Sequence, residues 1–401
     1  EPLRPAILWN DGRSEAQCLR LESQVPNIFD ITGNRIMPGF TAPKLLWVAN
    51  HEPDIFSATR LIVLPKDYIR YKLTGDFASD MSDAAGTMWL DVGRRDYSDE
   101  ILSACNLRRD NMPELFEGPQ VTGQLRKEWA DALGCGRVPV VAGGGDNAAG
   151  AIGAGIAEPG QAMMSLGTSG TYFLVTKTFR ENAKRAVHSF CHALPERWHV
   201  MSVVLSAASC LSWLSSVSGE DNIEKLLSEA ERCGTSKDAV FFLPYLSGER
   251  TPHNNPQATG MFFGLTHRAE RGHLVYAVLE GVAMAMRDGA DAVHQVVQRP
   301  SSVSVIGGGA RSPYWTQLLC DMLEQPLTYS EDAEVGPALG AAYLAMLSQS
   351  KSASLRSLIG APKIHREYQP DPVRSEQLRE RIAVFRTLYA RIYDARGTQG
   401  E

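Results

Sequence analysis

The sequence has no CxxC pair, no apolar run of membrane-spanning length and no surplus of basic residues. Its seven cysteines are scattered, which favours structural thiols in a reducing cytoplasm over disulfides or a zinc site. A net charge of −6, with 21% charged residues, gives no footprint of a nucleic-acid binder or a basic membrane-surface protein. No signal peptide is expected from the opening residues. It starts at Glu1 with "EPLRPAILWNDGR", an abrupt opening that reads as the loss of a natural start. Familiar site signatures are also missing. There is no GxxxxGK[ST] and no GxSxG, and Gly153-Ala-Gly155 continues wrongly for a dinucleotide fingerprint. His188 and His192 in "HSFCH" have the spacing of helical metal ligands but lack the HExxH glutamate, so core or hydrogen-bonding histidines are expected.

What the chain does have is apolar substance and glycine. With 401 residues, 44% of them hydrophobic, it can bury a large core, and two domains are expected. Up to residue 137 polar turns alternate with apolar stretches, and "KLLWVANHEPDIF" and "PKDYIRYKLTG" read as helices, the second closed by Gly75. In "DFASDMSDAAGTMWLDV", Asp80, Ser82 and Asp83 fall in a polar loop that reads as ordinary turns.

Three glycine turns then follow three apolar runs. In "VPVVAGGGDNAAGAIGAG" (138–155), a buried strand over Val138–Ala142 leads through Gly143, Gly144 and Gly145 to Asp146 at a strand-to-helix corner. There Asp146 is either a helix N-cap or a carboxylate placed for chemistry. In "AMMSLGTSGTYFLVT" (162–176), two strands flank Gly167-Thr168-Ser169-Gly170, a hairpin turn whose N–H groups and hydroxyls could also bind phosphate oxygens. In "SVSVIGGGARSPYWTQLLCDML" (302–323), a strand and three glycines precede a helix expected over Ala310–Leu323, either a nucleotide platform or plain strand–helix packing. "EVGPALGAAYLAML" is a small-residue helix suited to close packing.

Two longer stretches join these turns: "GFTAPKLLWVANH" (39–51) and "GMFFGLTHRAERGHLVYAVLE" (260–280). With them the chain resembles the sugar kinases of the FGGY family over essentially its whole length, least in its tail. The resemblance implies an α/β, two-domain actin/hexokinase-like (ribonuclease H-like) ATPase fold with the ligand cleft between domains. Residues 1–156 would be the remainder of an N-terminal sugar-binding domain, and 157–401 a C-terminal nucleotide-binding domain. Within the family, "LPYLSGERTPHNNPQATG" (243–260) and "LWNDGR" (8–13) point to ATP-dependent phosphorylation of D-xylulose to D-xylulose 5-phosphate. Another sugar (ribulose, fuculose or glycerol) and a non-catalytic ATP- or sugar-binding protein are the alternatives.

By position, the resemblance makes Asp146 the general base and sets Asn147 beside the sugar. It puts Gly167 and Thr168 in a phosphate loop and Gly308, Gly309 and Ala310 in an adenosine motif, with Arg268 and Gly272 near the nucleotide. It implies ATP and Mg²⁺, a small-molecule sugar, a cytoplasmic setting and no nucleic-acid or membrane partner, and is compatible with a homodimer. It assigns no metal ligand within this chain. The family's "DxGT" hairpin and the "QMHG"-like segment are absent from the sequence as written, so this stretch alone is expected to be inactive.

Overall fold

The computed structural model describes residues 1–234, 240–330, 336–349, 355–359 and 364–397. In the first part of the chain the apolar stretches are short, and so are the elements. The helices Glu15–Gln24 and Thr41–His51 lie over a core containing Leu21, Ile28, Leu46, Met88, Leu90 and Ile101. The single helix expected through "KLLWVANHEPDIF" is two, because Pro53 offers no N–H to continue the first and instead starts Pro53–Ala58. Helix Pro65–Thr74 ends as expected on Gly75, whose φ of 94° suits glycine. Strand Ala78–Asp80 runs parallel to Glu114–Phe116, and Val121–Gln124 runs antiparallel to Pro139–Val141.

The last of these corrects the buried strand expected over Val138–Ala142. The strand is shorter, has one partner, and leaves Val138 46% exposed. A strand in a two-stranded ribbon has no neighbour to cover its outer edge.

The second part of the chain is organised by a seven-stranded mixed sheet. Strands Ala162–Leu166 and Gly170–Thr176 form the expected antiparallel hairpin. Gly170–Thr176 pairs with Trp198–Val204, which pairs with His188–Cys191 at one edge. On the other side of the hairpin, Val303–Ile306 runs parallel to both Ala162–Leu166 and Leu327–Tyr329, and Arg366–Tyr368 closes that edge. Behind the sheet lies Arg271–His294, 24 residues long and buried on nearly every face. Its apolar face turns all the way round, as a central helix requires. The buried Glu280 on that helix accepts two hydrogen bonds, at 2.5 and 2.6 Å, from Arg381 of helix Pro372–Gly397. This charge-assisted pair fixes the last helix to the core.

The two parts meet along the edge strand and its neighbour. Asn34 exchanges hydrogen bonds with His188 and Ser189, and Trp198 Nε1 donates to the carbonyl of Val92 at 2.7 Å. Helix Gly336–Ser348 crosses helix Asp146–Gly153 so closely that a Cβ on Gly340 would fall on the Ala149 carbonyl. The expected close-packing use of the small-residue helix is what this crossing requires.

Candidate active site

Asp146 is the first residue of helix Asp146–Gly153, and the N-cap position belongs to Gly145. Its exposed carboxylate accepts from its neighbour Asn147, from the backbone N–H at 2.7 Å and the side-chain amide at 2.9 Å. Asp146 is therefore not the N-cap; its carboxylate accepts one first-turn N–H from the first helical position and is presented to solvent. A negative charge at this position also gains from the positive end of the helix.

Beneath this corner lies a charged cluster that the sequence did not disclose. Asp80 is fully buried and caps the short helix Met81–Ala84, accepting from the N–H groups of Ser82 (2.8 Å) and Asp83 (3.2 Å). The same oxygen accepts from the Ser82 hydroxyl at 2.5 Å, and Ser82 Oγ in turn accepts the N–H of Gly145 at 2.9 Å. Lys66 ion-pairs with Asp80 at 2.9 Å and Asp67 at 2.6 Å and reaches Asp83 at 3.9 Å. Burial alone would lower the Lys66 ammonium, but Asp80, Asp67 and Asp83 outweigh it and hold the group well above an ordinary lysine. Asp83 lies against Gly145, and its carboxyl is pushed up to about 7, by burial first and by Asp80 next, against the pull of Lys66. The loop that reads as ordinary turns is the support on which the Asp146 corner rests.

The other two glycine turns open on one cavity of about 820 Å³. Gly167 and Thr168 form part of its wall, and Gly308 and Gly309 another part. The 167–168 turn is held from behind, where its carbonyls accept the N–H groups of Ala207 and Ala208 at 2.9 and 2.8 Å. Thr168 itself stays exposed. The helix expected from Ala310 starts later. Residues Gly308–Arg311 make one 3₁₀ turn, and helix Pro313–Leu323 begins after Ser312, whose side chain caps the Trp315 N–H and is followed by a proline at the first helical position.

The glycines of that turn have different surroundings. A Cβ on Gly308 would meet nothing within 4 Å, whereas one on Gly309 would strike Leu166 at 2.6 Å. Ala310 is buried behind the turn, its carbonyl accepting from the Thr316 hydroxyl. Arg268 and Gly272 do not line the cavity. Gly272 is pressed against the back of helix Ile223–Cys233, facing the Glu229 carbonyl and Cys233. Asp146 and Asn147 are not in the wall of this cavity either.

The motif "SGERTP" serves the sheet. Thr251 donates to the Ala186 carbonyl and accepts the Val203 N–H, and Arg250 lies 3.4 Å from His188 Nε2. His188 and His192 are buried core residues on and just after an edge strand rather than on a helix. In "LWNDGR", Asp11 is paired with Arg13.

Models of the FGGY family of carbohydrate kinases match the chain twice, the N-terminal domain over residues 1–153 and the C-terminal domain over residues 162–349. A protein from Escherichia coli K12 named xylulose kinase is 56% identical over 97% of this chain and 81% of its own length. The chain belongs to the FGGY family of carbohydrate kinases. A xylulose kinase from Bacillus subtilis is 34% identical over 98% of the chain and 78% of its own length. In three dimensions, this FGGY kinase superposes on the crystal structure of a xyloylose kinase from Brucella ovis with a TM-score of 0.92, at 43% identity over 98% of this chain and 81% of the other. Its fold is the two-domain α/β kinase fold, and the activity that goes with the family is phosphoryl transfer from ATP to a carbohydrate. Among the described residues no helix is long and apolar enough to cross a membrane.

Proposed function

We propose that this FGGY kinase phosphorylates D-xylulose to D-xylulose 5-phosphate, with Asp146 as general base. The observation that carries the reading is the 56% identity, over nearly the whole chain, to a protein named xylulose kinase. The geometry of the corner agrees with it. Phosphoryl transfer asks little covalent chemistry of a protein and much positioning of the hydroxyl and the phosphates. Asp146, exposed and bonded to Asn147, is free to approach a sugar hydroxyl and accept its proton late in transfer. Asn147 would hold the sugar beside it.

The wall formed by Gly167, Thr168, Gly308 and Gly309 would take ATP, the side-chain-free Gly308 letting the nucleotide lie close. Mg²⁺ enters this reading as part of the substrate, carried on the ATP phosphates. Gly309 and Ala310 would shape the turn from behind. Gly272 would act on the site only through helix Ile223–Cys233, against which it packs, and Arg268, four residues before it in the chain, from outside the cavity wall. The free cysteines fit a reducing cytoplasm. We take residues 1–156 and 157–401 as the two domains.

The test is ADP release by the full-length protein against xylulose, ribulose, fuculose and glycerol. Xylulose should give the highest kcat/KM, and a tenfold preference for any other sugar would overturn the substrate. Asp146→Asn should keep sugar binding and lower kcat by about 10²- to 10⁴-fold, the usual worth of a general base. Unchanged kcat in that variant would remove Asp146 from the chemistry.

A further inference from the structure

Asp146 follows three residues without side chains, so nothing of its own anchors the turn that aims it. Two of its N–H groups donate hydrogen bonds that hold the turn. Gly143 N–H donates to the Gly118 carbonyl at 3.0 Å, and Gly145 N–H, one residue before Asp146, donates to Ser82 Oγ at 2.9 Å. The second is the only one of the two made by a side chain. It comes from a serine 7% exposed whose own hydroxyl proton goes to the buried Asp80.

That arrangement has a direction. The Ser82 hydroxyl must donate to Asp80, a carboxylate that can only accept, so its lone pairs face Gly145 and accept there. Asp80 is held in place by Lys66, which also lies 3.4 Å from the carbonyl of Ala142, at the start of the same turn. The turn is thus gripped at both ends by one connected set of side chains, reached from helix Pro65–Thr74 and from Asp80 and the short helix Met81–Ala84 that it caps.

We infer that Ser82, oriented by Asp80 and Lys66, is the positioning residue that sets the Asp146 carboxylate for proton transfer. This rests on Asp146 being the base. Ser82 touches no reacting atom in this account; it works through the Gly145 peptide. A carboxylate displaced by about 1 Å can lose about 10²-fold in rate while the substrates still bind.

The full-length protein tests this with Ser82→Ala, Ser82→Thr and Asp146→Asn side by side. Ser82→Ala should lower kcat for sugar phosphorylation by about 10- to 100-fold and leave the KM for ATP within twofold. Ser82→Thr, which keeps the oxygen, should recover most of the loss. A role confined to stability would lower the melting temperature of Ser82→Ala without this split between kcat and KM, and that result overturns the proposal. So does a kcat within twofold of the parent. If Ser82→Ala does not fold, Ser82→Cys fills the space with a weaker acceptor and is read by the same criterion. The two readings fail separately: loss in Asp146→Asn with an active Ser82→Ala sinks only the positioning role, whereas an active Asp146→Asn sinks the base itself.

Discussion

Gly308 and Gly309 are adjacent and chemically identical, yet the fold uses them differently. Gly308 faces open space in the cavity wall, and Gly309 is packed against Leu166 and Trp315. A Gly308→Val substitution should therefore fold normally and raise the KM for ATP by about tenfold or more, equivalent to about 1.4 kcal/mol of binding. Steady-state kinetics with ATP varied at saturating sugar checks it, with KM for sugar as the control. Gly309→Val instead should lower the melting temperature, since its branches must displace Leu166. The glycine cluster was legible from sequence because three missing side chains after an apolar run are visible in one dimension. Which of the three has open space before it was not, since that depends on Leu166, from a strand far away in the chain.

At the scale of elements, the neighbouring strands His188–Cys191 and Trp198–Val204 bring three imidazoles into the core at or near their ends. Burial pushes His188 and His192 down to about 3, and holds His199 well below the ordinary histidine value. A histidine that stays neutral when folded but takes a proton near 6.5 when unfolded stabilises the fold above pH 6.5. That stability is lost as the pH falls from there toward 3. His199 stacks on Phe173 at 4.2 Å with both ring nitrogens unpartnered among the described residues. His199→Phe should keep the stack and raise the melting temperature at pH 5.5 by about 2–4 °C, the yield of about 1 kcal/mol in a domain of this size. At pH 8 the gain should be smaller, and thermal melts at the two pH values measure the difference. An equal gain at both would remove the titration argument.

The same elements mark where sequence reading stops. The hairpin at 162–176 and the helix closed by Gly75 were legible because turn chemistry and apolar period agree locally. The core histidines expected of "HSFCH" are buried, but the strand His188–Cys191 was not legible there, since it depends on pairing with 198–201. The tie from Ser82 to Gly145 spans 63 positions, and no local pattern carries it. Its visible trace was Asp80 with Ser82 and Asp83 two and three places on, a pattern that is common in ordinary turns.

For the whole molecule, Arg95 is one of the joints between the two halves. Its guanidinium makes two hydrogen bonds to Glu117, at 2.9 and 2.6 Å, and one at 2.7 Å to the carbonyl of Arg197 beyond the interface. It also lies 5.2 Å from the centre of the Trp198 ring. Arg95→Met leaves the half-buried Glu117 without its partner, at a cost of about 1–3 kcal/mol. Differential scanning calorimetry should show an earlier transition, broadened or split as the halves melt apart. An unchanged melting profile would mean that the interface is held elsewhere. The two-part fold itself was legible from long motifs lying in both halves, while this joint was not, because Arg95 and Arg197 are only neighbours once both halves exist.

The crossing of helices Gly336–Ser348 and Asp146–Gly153 brings backbone against backbone at Gly340 and Ala149. At such a point a replacement is judged by volume alone, without regard to polarity, charge or helix preference. Alanine is the best helix former among the residues, yet here it would fare no better in kind than leucine or lysine. A library randomised at position 340 should return glycine whatever sugar is used for selection. Catalytic positions sampled the same way should vary with the task set. Tolerance would then separate a residue retained for its shape from one retained for its chemistry, in one experiment and without reference to rate.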